Sequence, residues 1–202
     1  IGSSWGDLNG DGLLDLVVAN LAHPRFWDFS DKSGVFIQQK DGTFIDLQGN
    51  WDAPIGGAGL TYQETHSVPL LGDFDQDGAL DLWLSATYDG RPTEFYRGNG
   101  DGTFTLSRWL SGVTDRNGWG MVAVDYDHDG DLDVVAKDLL YRNNGVGADG
   151  GMGKVGDKAH WLQVRTVGDV AANRAGIGAS VRVVAGGKTY LRVVDGGSGQ
   201  GS

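Results

Sequence analysis

The sequence predicts an all-β protein, and three observations support this fold class. Glycine accounts for 35 of the 202 residues and recurs in short clusters between apolar runs, which indicates many tight turns. Four prolines and few Ala, Leu, Glu or Lys blocks leave little room for long helices. Three copies of one acidic segment begin at Asp7, Asp73 and Asp125, so they are 66 and 52 residues apart. This spacing suits four-stranded blades and predicts a partial β-propeller of about three blades.

The composition narrows the class of protein further. A hydrophobic content of 40% with seven tryptophans is typical of a folded chain. The net charge of −11, from 27 acidic and 16 basic residues, argues against a nucleic-acid partner. The chain has no cysteine, which excludes disulfides and thiolate metal sites. No apolar run reaches the roughly 18 residues of a membrane span.

The acidic residues concentrate in three aligned loops, within segments 6–16, 72–82 and 124–134. Each loop offers oxygen-bearing side chains at positions one, three, five and nine, glycine at position six and a backbone carbonyl at position seven. The predicted metal ligands are Asp7, Asn9, Asp11, Leu13 and Asp15 in the first loop, Asp73, Asp75, Asp77, Ala79 and Asp81 in the second, and Asp125, Asp127, Asp129, Asp131 and Asp133 in the third.

This ligand pattern predicts calcium. Ca²⁺ takes six to eight oxygen ligands, whereas Mg²⁺ keeps its water shell and requires a stricter octahedral geometry. Gly12, Gly78 and Gly130 at position six permit the sharp turn that such a loop needs. Clustered carboxylates would also repel one another without a counter-ion. We expect three Ca²⁺ ions, one per loop, with the weakest site in the first loop because Asn9 replaces a carboxylate there.

The loops are predicted to lie on a β scaffold and not in an EF-hand. Val18, Leu84 and Ala136 occupy position twelve, where an EF-hand has a bidentate glutamate. Segments 36–44 and 95–104 each contain an Asp-Gly pair between alternating and aromatic residues, which is a strong hairpin signal.

A change in the residue pattern after the third repeat divides the chain into two predicted domains. The Gly-rich stretch 145–157 is typical of a linker. We therefore assign 1–158 to the blades with their three calcium loops and 159–202 to a small β module. Alternating residues predict three strands in that module, at 160–165, 179–183 and 189–193.

The acidic loops followed by Leu-Asp-Leu or Leu-Asp-Val, together with the Asp-Gly-Thr-Phe turns, resemble FG-GAP/VCBS repeats, the calcium-bearing blades of integrin-like β-propellers. Segments 160–162, 173–179 and 196–199 resemble the ASPIC/UnbV module that follows such blades in cartilage acidic protein and its bacterial relatives. The resemblance implies an extracellular, calcium-stabilised protein for adhesion or recognition, often of glycans. The third repeat departs from the pattern because it lacks the Asp-Gly-Thr-Phe turn.

Two functional classes follow. The favoured one is a secreted calcium-binding repeat protein that binds a glycan or another extracellular protein, or serves extracellular assembly. The alternative is a calcium-dependent polysaccharide-active enzyme such as a lyase. We assign no catalytic residue: His66 has Glu64 nearby but no serine or cysteine elbow, and His128 is a spacer within its loop. Trp51, Trp83, Trp109 and Trp119 are predicted to pack in the core or between blades.

Three blades are too few to close a propeller, since closed rings use about four to eight. Ile1 also begins inside a strand-like segment, without Met or a signal peptide. We therefore expect either further blades outside this sequence or copies of the chain packed head to tail into an oligomer or filament.

Overall fold

The computed structural model of the chain describes residues 2–23, 30–49, 56–107, 112–113, 118–145, 161–169 and 173–194. In these ranges the secondary structure consists of β-strands, which form three antiparallel sheets and one hairpin. None of the described residues forms a helix long and apolar enough to cross a membrane. The all-β prediction is confirmed.

Each sheet is an antiparallel meander of strands that follow one another in sequence. The first sheet contains β1 (Gly2–Gly6), β2 (Asp15–Ala19), β3 (Gly34–Gln38) and β4 (Phe44–Asp46). The second contains β5 (His66–Gly72), β6 (Asp81–Ala86), β7 (Glu94–Gly98) and β8 (Phe104–Leu106). The third contains β9 (Met121–Val124), β10 (Asp133–Ala136) and β11 (Leu139–Tyr141).

The acidic loop occupies the same place in every sheet, between its first and second strands. The pairing registers that flank the loop are Gly6↔Asp15, Gly72↔Asp81 and Val124↔Asp133. The predicted Asp-Gly hairpins are also present: Gly42 and Gly102, in the β3–β4 and β7–β8 turns, have φ angles of 84° and 87°. The sequence repeat is therefore a repeat of structure.

The sheets pack face to face through alternate residues of their strands. Val17 and Val35 of the first sheet share one buried cluster with Leu82, Leu84 and Tyr96 of the second. The opposite face of the second sheet contributes Phe74, Trp83 and Phe95 to another cluster, which Met121 and Val134 of the third sheet complete. In β6, successive residues thus face different neighbours, as the two-residue period of a strand requires.

The described sheets form an open stack with two outer faces. On the first sheet, Trp5 and Phe44 are exposed and their rings make an edge contact, with centroids 6.1 Å apart. On the third sheet, Val122 and Leu140 are exposed and both lie opposite Val135 in the ladder. These three sheets do not form a closed propeller, and completion by further blades or by other copies of the chain stays a prediction.

A buried polar network joins the first two sheets. Ser33 Oγ lies 2.8 Å from His66 Nδ1, and His66 Nε2 lies 3.2 Å from Glu94 Oε2. Tyr96 donates its hydroxyl to the same Glu94 oxygen at 2.6 Å, and burial with the nearby Glu94 charge raises the pKa of the Tyr96 phenol. All four residues are buried. His66 is therefore part of the core at the start of β5 and not of a surface loop.

The C-terminal segment contains the two-stranded hairpin β12 (Ser180–Ala185) and β13 (Lys188–Val193), with Gly186 and Gly187 in its turn. Two of the three strands predicted here are confirmed. The prediction for 160–165 is wrong for 161–165, which form no strand, while residue 160 lies outside the described residues. Trp161, Leu162 and Val164 are exposed, and their segment pairs with no strand in the part of the chain that the structure describes.

The prediction of core or inter-blade packing holds for Trp83 and is wrong for Trp119, while Trp51 and Trp109 lie outside the described residues. Trp83 is 4% exposed and packs between Phe74 and Phe95. Trp119 is 51% exposed, because it precedes β9 at the sheet edge and contacts the second sheet through its carbonyl, which accepts a hydrogen bond from Ser67 Oγ at 3.2 Å.

Equivalent leucines test the open stack. Leu82 and Leu16 each follow the last aspartate of a loop, but Leu82 is fully buried between two sheets and Leu16 is half-buried on the outer face. In dilute solution, Leu82→Ala should lower the free energy of unfolding by about 2–5 kcal/mol and Leu16→Ala by less than about 1.5 kcal/mol. Urea denaturation measures both, and equal losses would contradict the stacking order.

Candidate metal centres

The first aspartate of each loop closes the turn by accepting a hydrogen bond from the glycine at position six. The N···Oδ2 distances are 3.0 Å for Gly12 to Asp7, 3.1 Å for Gly78 to Asp73 and 3.3 Å for Gly130 to Asp125. The three glycines have φ angles of 85°, 91° and 96°, in the left-handed region that side chains disfavour. The predicted sharp turn is present in all three loops.

The aspartate at position five shapes the second half of each loop. Its Oδ1 accepts from the backbone N–H two residues later, at 2.8 Å for Leu13 to Asp11, 2.8 Å for Ala79 to Asp77 and 3.3 Å for Asp131 to Asp129. Such Asx turns hold the chain in a tight arc without a regular ladder. The loop shape is therefore built by its own carboxylates.

Several carboxylate oxygens remain buried without a hydrogen-bond partner in the second and third loops. They are Asp73 Oδ1, Asp125 Oδ1, Asp127 Oδ1 and Asp131 Oδ1. Buried polar atoms are normally paired, so these oxygens lack a donor or a cation. Oxygen-only donor sets suit Ca²⁺, and the residues present fit that ion.

Two groups of predicted ligands lie close enough together to share a metal ion. Their ligand atoms lie within 4.8 Å of one another, in Asp73, Asp75 and Asp77 and in Asp125, Asp127 and Asp133. No such group is found in the first loop, where Asn9 replaces a carboxylate and Asp7 Oδ1 already accepts from Asp11 N at 3.1 Å. The three-ion prediction therefore has geometric support in two loops.

The aspartate at position nine has a role that the sequence analysis missed. Each of its two carboxylate oxygens accepts a backbone N–H group. One donor lies inside the loop, and the other lies at the end of the sheet's third strand or just after it. The donors are Leu8 (2.8 Å) and Gln38 (2.9 Å) for Asp15, Phe74 (2.9 Å) and Gly98 (2.9 Å) for Asp81, and Tyr126 (3.1 Å) and Asn143 (2.8 Å) for Asp133. We call these three residues the bracing aspartates. Their predicted ligand role stays a prediction alongside this one.

Arginines of the second and third sheets pair with predicted ligands. Arg97 Nε donates to Asp75 Oδ2 at 2.7 Å, and Arg142 Nη2 lies 2.7 Å from Asp127 Oδ2 and 3.1 Å from Asp129 Oδ2. The strand registers place Ile37 where Arg97 and Arg142 stand, a signal that the sequence analysis overlooked.

These ion pairs alter the comparison of loop charges that predicted the weakest calcium site in the first loop. Among the described residues no arginine pairs with Asn9 of the first loop, whereas Asp75 of the second loop pairs with Arg97. The additional negative charge at position three is thus offset within the protein, and Asn9 alone is not a sufficient reason for a weaker first site.

Burial makes several of these carboxyl groups weak acids in the metal-free protein. It raises the pKa of Asp73 to about 6, and both Asp77 and Asp75 add to the shift. Burial likewise raises the pKa of Asp81 to about 7, while for Asp131 burial and a hydrogen bond with Asp129 raise it to about 7. Because these folded-state values exceed the unfolded value of 3.8, the metal-free fold loses stability as the pH rises from that value to about 6 to 7. A bound cation would offset that loss.

The fold and its loops define a class: a repeat protein of stacked antiparallel sheets, each with an acidic loop between its first two strands. The family model of the FG-GAP-like repeat matches residues 7–84 and 73–136. The chain belongs to the FG-GAP-like repeat family, which confirms this part of the resemblance. A comparison with curated proteins finds no match.

The bracing role can be separated from metal binding. Asp81→Ala would leave two buried N–H groups without an acceptor, so we expect a loss of about 2–4 kcal/mol in unfolding free energy even with a chelator present. Asp77→Ala is the matched control, because Asp77 is exposed and lies in the same loop. Its loss should be small in chelator and grow with calcium. Urea denaturation under both conditions measures this, and equal losses in chelator would contradict the bracing role.

Proposed function

We propose that this chain is an extracellular calcium-binding repeat protein in which one Ca²⁺ ion occupies each acidic loop. The observation that carries the proposal is the pair of equivalent oxygens, Asp73 Oδ1 and Asp125 Oδ1, which are buried at position one without a partner. Family membership supports the adhesion-like and extracellular assignment.

Each ion would be held by the predicted ligands of its own loop. In the second loop these are the carboxylates of Asp73, Asp75, Asp77 and Asp81 and the carbonyl of Ala79; the first and third loops offer the equivalent groups. Bound calcium would supply positive charge where burial disfavours carboxylates, and so stabilise each loop against the adjacent sheet. The role is structural: calcium fixes the loop edge of the sheets on which recognition depends.

Recognition of a glycan or of another extracellular protein is the function that we propose for the stabilised stack.

The outer faces would be covered by further blades or by a second copy packed head to tail, since each presents exposed aromatic or aliphatic residues. In the second case, the loss from Leu16→Ala should grow with protein concentration, and a constant loss would contradict self-assembly. We also propose that residues 159–202 form an ASPIC/UnbV-like module.

The Ser33–His66–Glu94 network does not favour the lyase alternative. Its members are at most 6% exposed, and Ser33 Oγ also accepts a hydrogen bond from Asn20 N at 3.1 Å. A catalytic base must reach its substrate. This network instead joins two sheets inside the core.

Calcium should stabilise the fold far beyond an ionic-strength effect. Binding to the folded state alone contributes about 2.7 kcal/mol per site at a hundredfold excess over the dissociation constant. We expect chelation at fixed ionic strength to lower the melting temperature by several degrees, with recovery by calcium and much less by magnesium. Differential scanning calorimetry measures the shift. A melting temperature that does not respond to chelator would overturn the proposed function.

A further inference from the structure

A side chain of the second acidic loop is hydrogen-bonded to the third loop. Gln76 is at position four, between two predicted ligands, and its Nε2 donates to the carbonyl oxygen of Gly130 at 2.9 Å. Gly130 is at position six of the third loop, and its own N–H donates to Asp125 Oδ2 at 3.3 Å. The next residue, Asp131, is 5% exposed, and its Oδ1 has no hydrogen-bond partner among the described residues. Gln76 therefore contacts the turn that joins two of the predicted ligands of the third loop.

A second amide connects the same two loops from the third sheet. Asn143 follows β11, and its Nδ2 donates to the carbonyl oxygen of Phe74 in the second loop at 2.8 Å. The same nitrogen donates to the carbonyl oxygen of Leu132 in the third loop at 3.2 Å. The backbone N–H of Asn143 also donates to the bracing aspartate Asp133 at 2.8 Å. One residue is thus bonded to both loops.

Neither connection has a counterpart between the first and second loops, because glycine occupies both equivalent positions in the described repeats. Position four of the first loop is Gly10, and the residue equivalent to Asn143 in the second sheet is Gly98, whose N–H reaches its bracing aspartate in the same way. Neither glycine has a side chain that could reach the neighbouring loop. The carbonyl oxygen of Leu8, which is equivalent to that of Phe74, accepts instead from Gly102 N at 3.2 Å, in the β7–β8 turn.

We propose that Gln76 and Asn143 couple the cation sites of the second and third loops, so that occupation of either site raises the affinity of the other, while the first site binds independently. This inference rests on the proposed function for its calcium component. The structural connection between the two loops rests on the hydrogen bonds alone.

The coupling follows from the position of Gln76 within its loop. Gln76 has a φ angle of 58° and lies between Asp75 and Asp77. A cation held by these two carboxylates would order the backbone between them, so less conformational entropy is lost when the Gln76 amide holds Gly130. Linkage makes the effect reciprocal: a cation in the third loop favours the second site by the same factor. The net contribution of one hydrogen bond corresponds to a factor of about two to ten in affinity.

Hydrogen exchange measured by NMR in chelator tests the structural connection. Asp77→Ala removes the acceptor of the Asx turn in the second loop, and it should speed exchange of the Gly130 amide about two- to tenfold. Asp11→Ala is the matched control, because it removes the equivalent acceptor in the first loop. It should leave the Gly130 amide at the wild-type rate. Equal rates for Gly130 in the two variants would show that the second loop is not connected to the third.

Calcium titration in a calcium buffer tests the coupling, with the NMR signal of the Gly130 amide as the probe of the third site. Asp77→Ala weakens the second site, so it should raise the free calcium concentration that half-saturates the third site about two- to tenfold. Asp11→Ala weakens the first site and should not change this concentration. A third site that responds to neither variant, or to both equally, would overturn the coupling.

Substitutions at position four test whether Gln76 carries the coupling. Gln76→Gly should reduce the effect of Asp77→Ala on the third site, and the further change Asn143→Ala should abolish it. His128→Gly is the matched control and should preserve the effect, because His128 is at position four of the third loop with a φ angle of 60° and is exposed. If Gln76→Gly preserves the effect as fully as His128→Gly, the role of Gln76 is wrong. If no loop binds calcium while Asp77→Ala still speeds exchange at Gly130, the proposed function and the coupling fail and the structural connection stands.

Discussion

Two hydrogen bonds to one carboxylate, repeated in every sheet, are the interaction on which the rest of this structure depends. Asp15, Asp81 and Asp133 each accept one backbone N–H from the acidic loop and one from beside the third strand. These side chains are buried, so their position ties the loop to the sheet at the point where β1–β2, β5–β6 and β9–β10 begin to pair.

The same arrangement brings carboxylates together, and their negative charges require positive charge nearby. Bracing each loop against its sheet concentrates acidic groups where burial raises their pKa. The protein compensates part of this negative charge with its own cations, because Arg97 and Arg142 pair with loop aspartates. Asp73 Oδ1 and Asp125 Oδ1 are still buried without a hydrogen-bond partner. Calcium is the proposed complement.

Local signals in the sequence were sufficient for the repeats, because glycine spacing and alternation determine turns and strands over a few residues. They predicted the turns at Gly12, Gly78 and Gly130 and the C-terminal hairpin. They could not show the second donor to Asp15, which lies 23 residues away, or the contact of Arg182 with Gly12 across 170 residues. Alternation also misassigned 161–165, since an exposed extended segment has the same pattern as a strand. Comparing Ile37, Arg97 and Arg142 across the repeats would have revealed the arginine pairs.

The central claim is that the buried, unpaired carboxylate oxygens of the loops are cation ligands. Anomalous diffraction from crystals grown with calcium tests it most directly, because it locates the ion without reference to stability. The account predicts one peak in each loop, with those of the second and third loops next to Asp73 Oδ1 and Asp125 Oδ1. Ordered second and third loops without an anomalous peak at either position would contradict it.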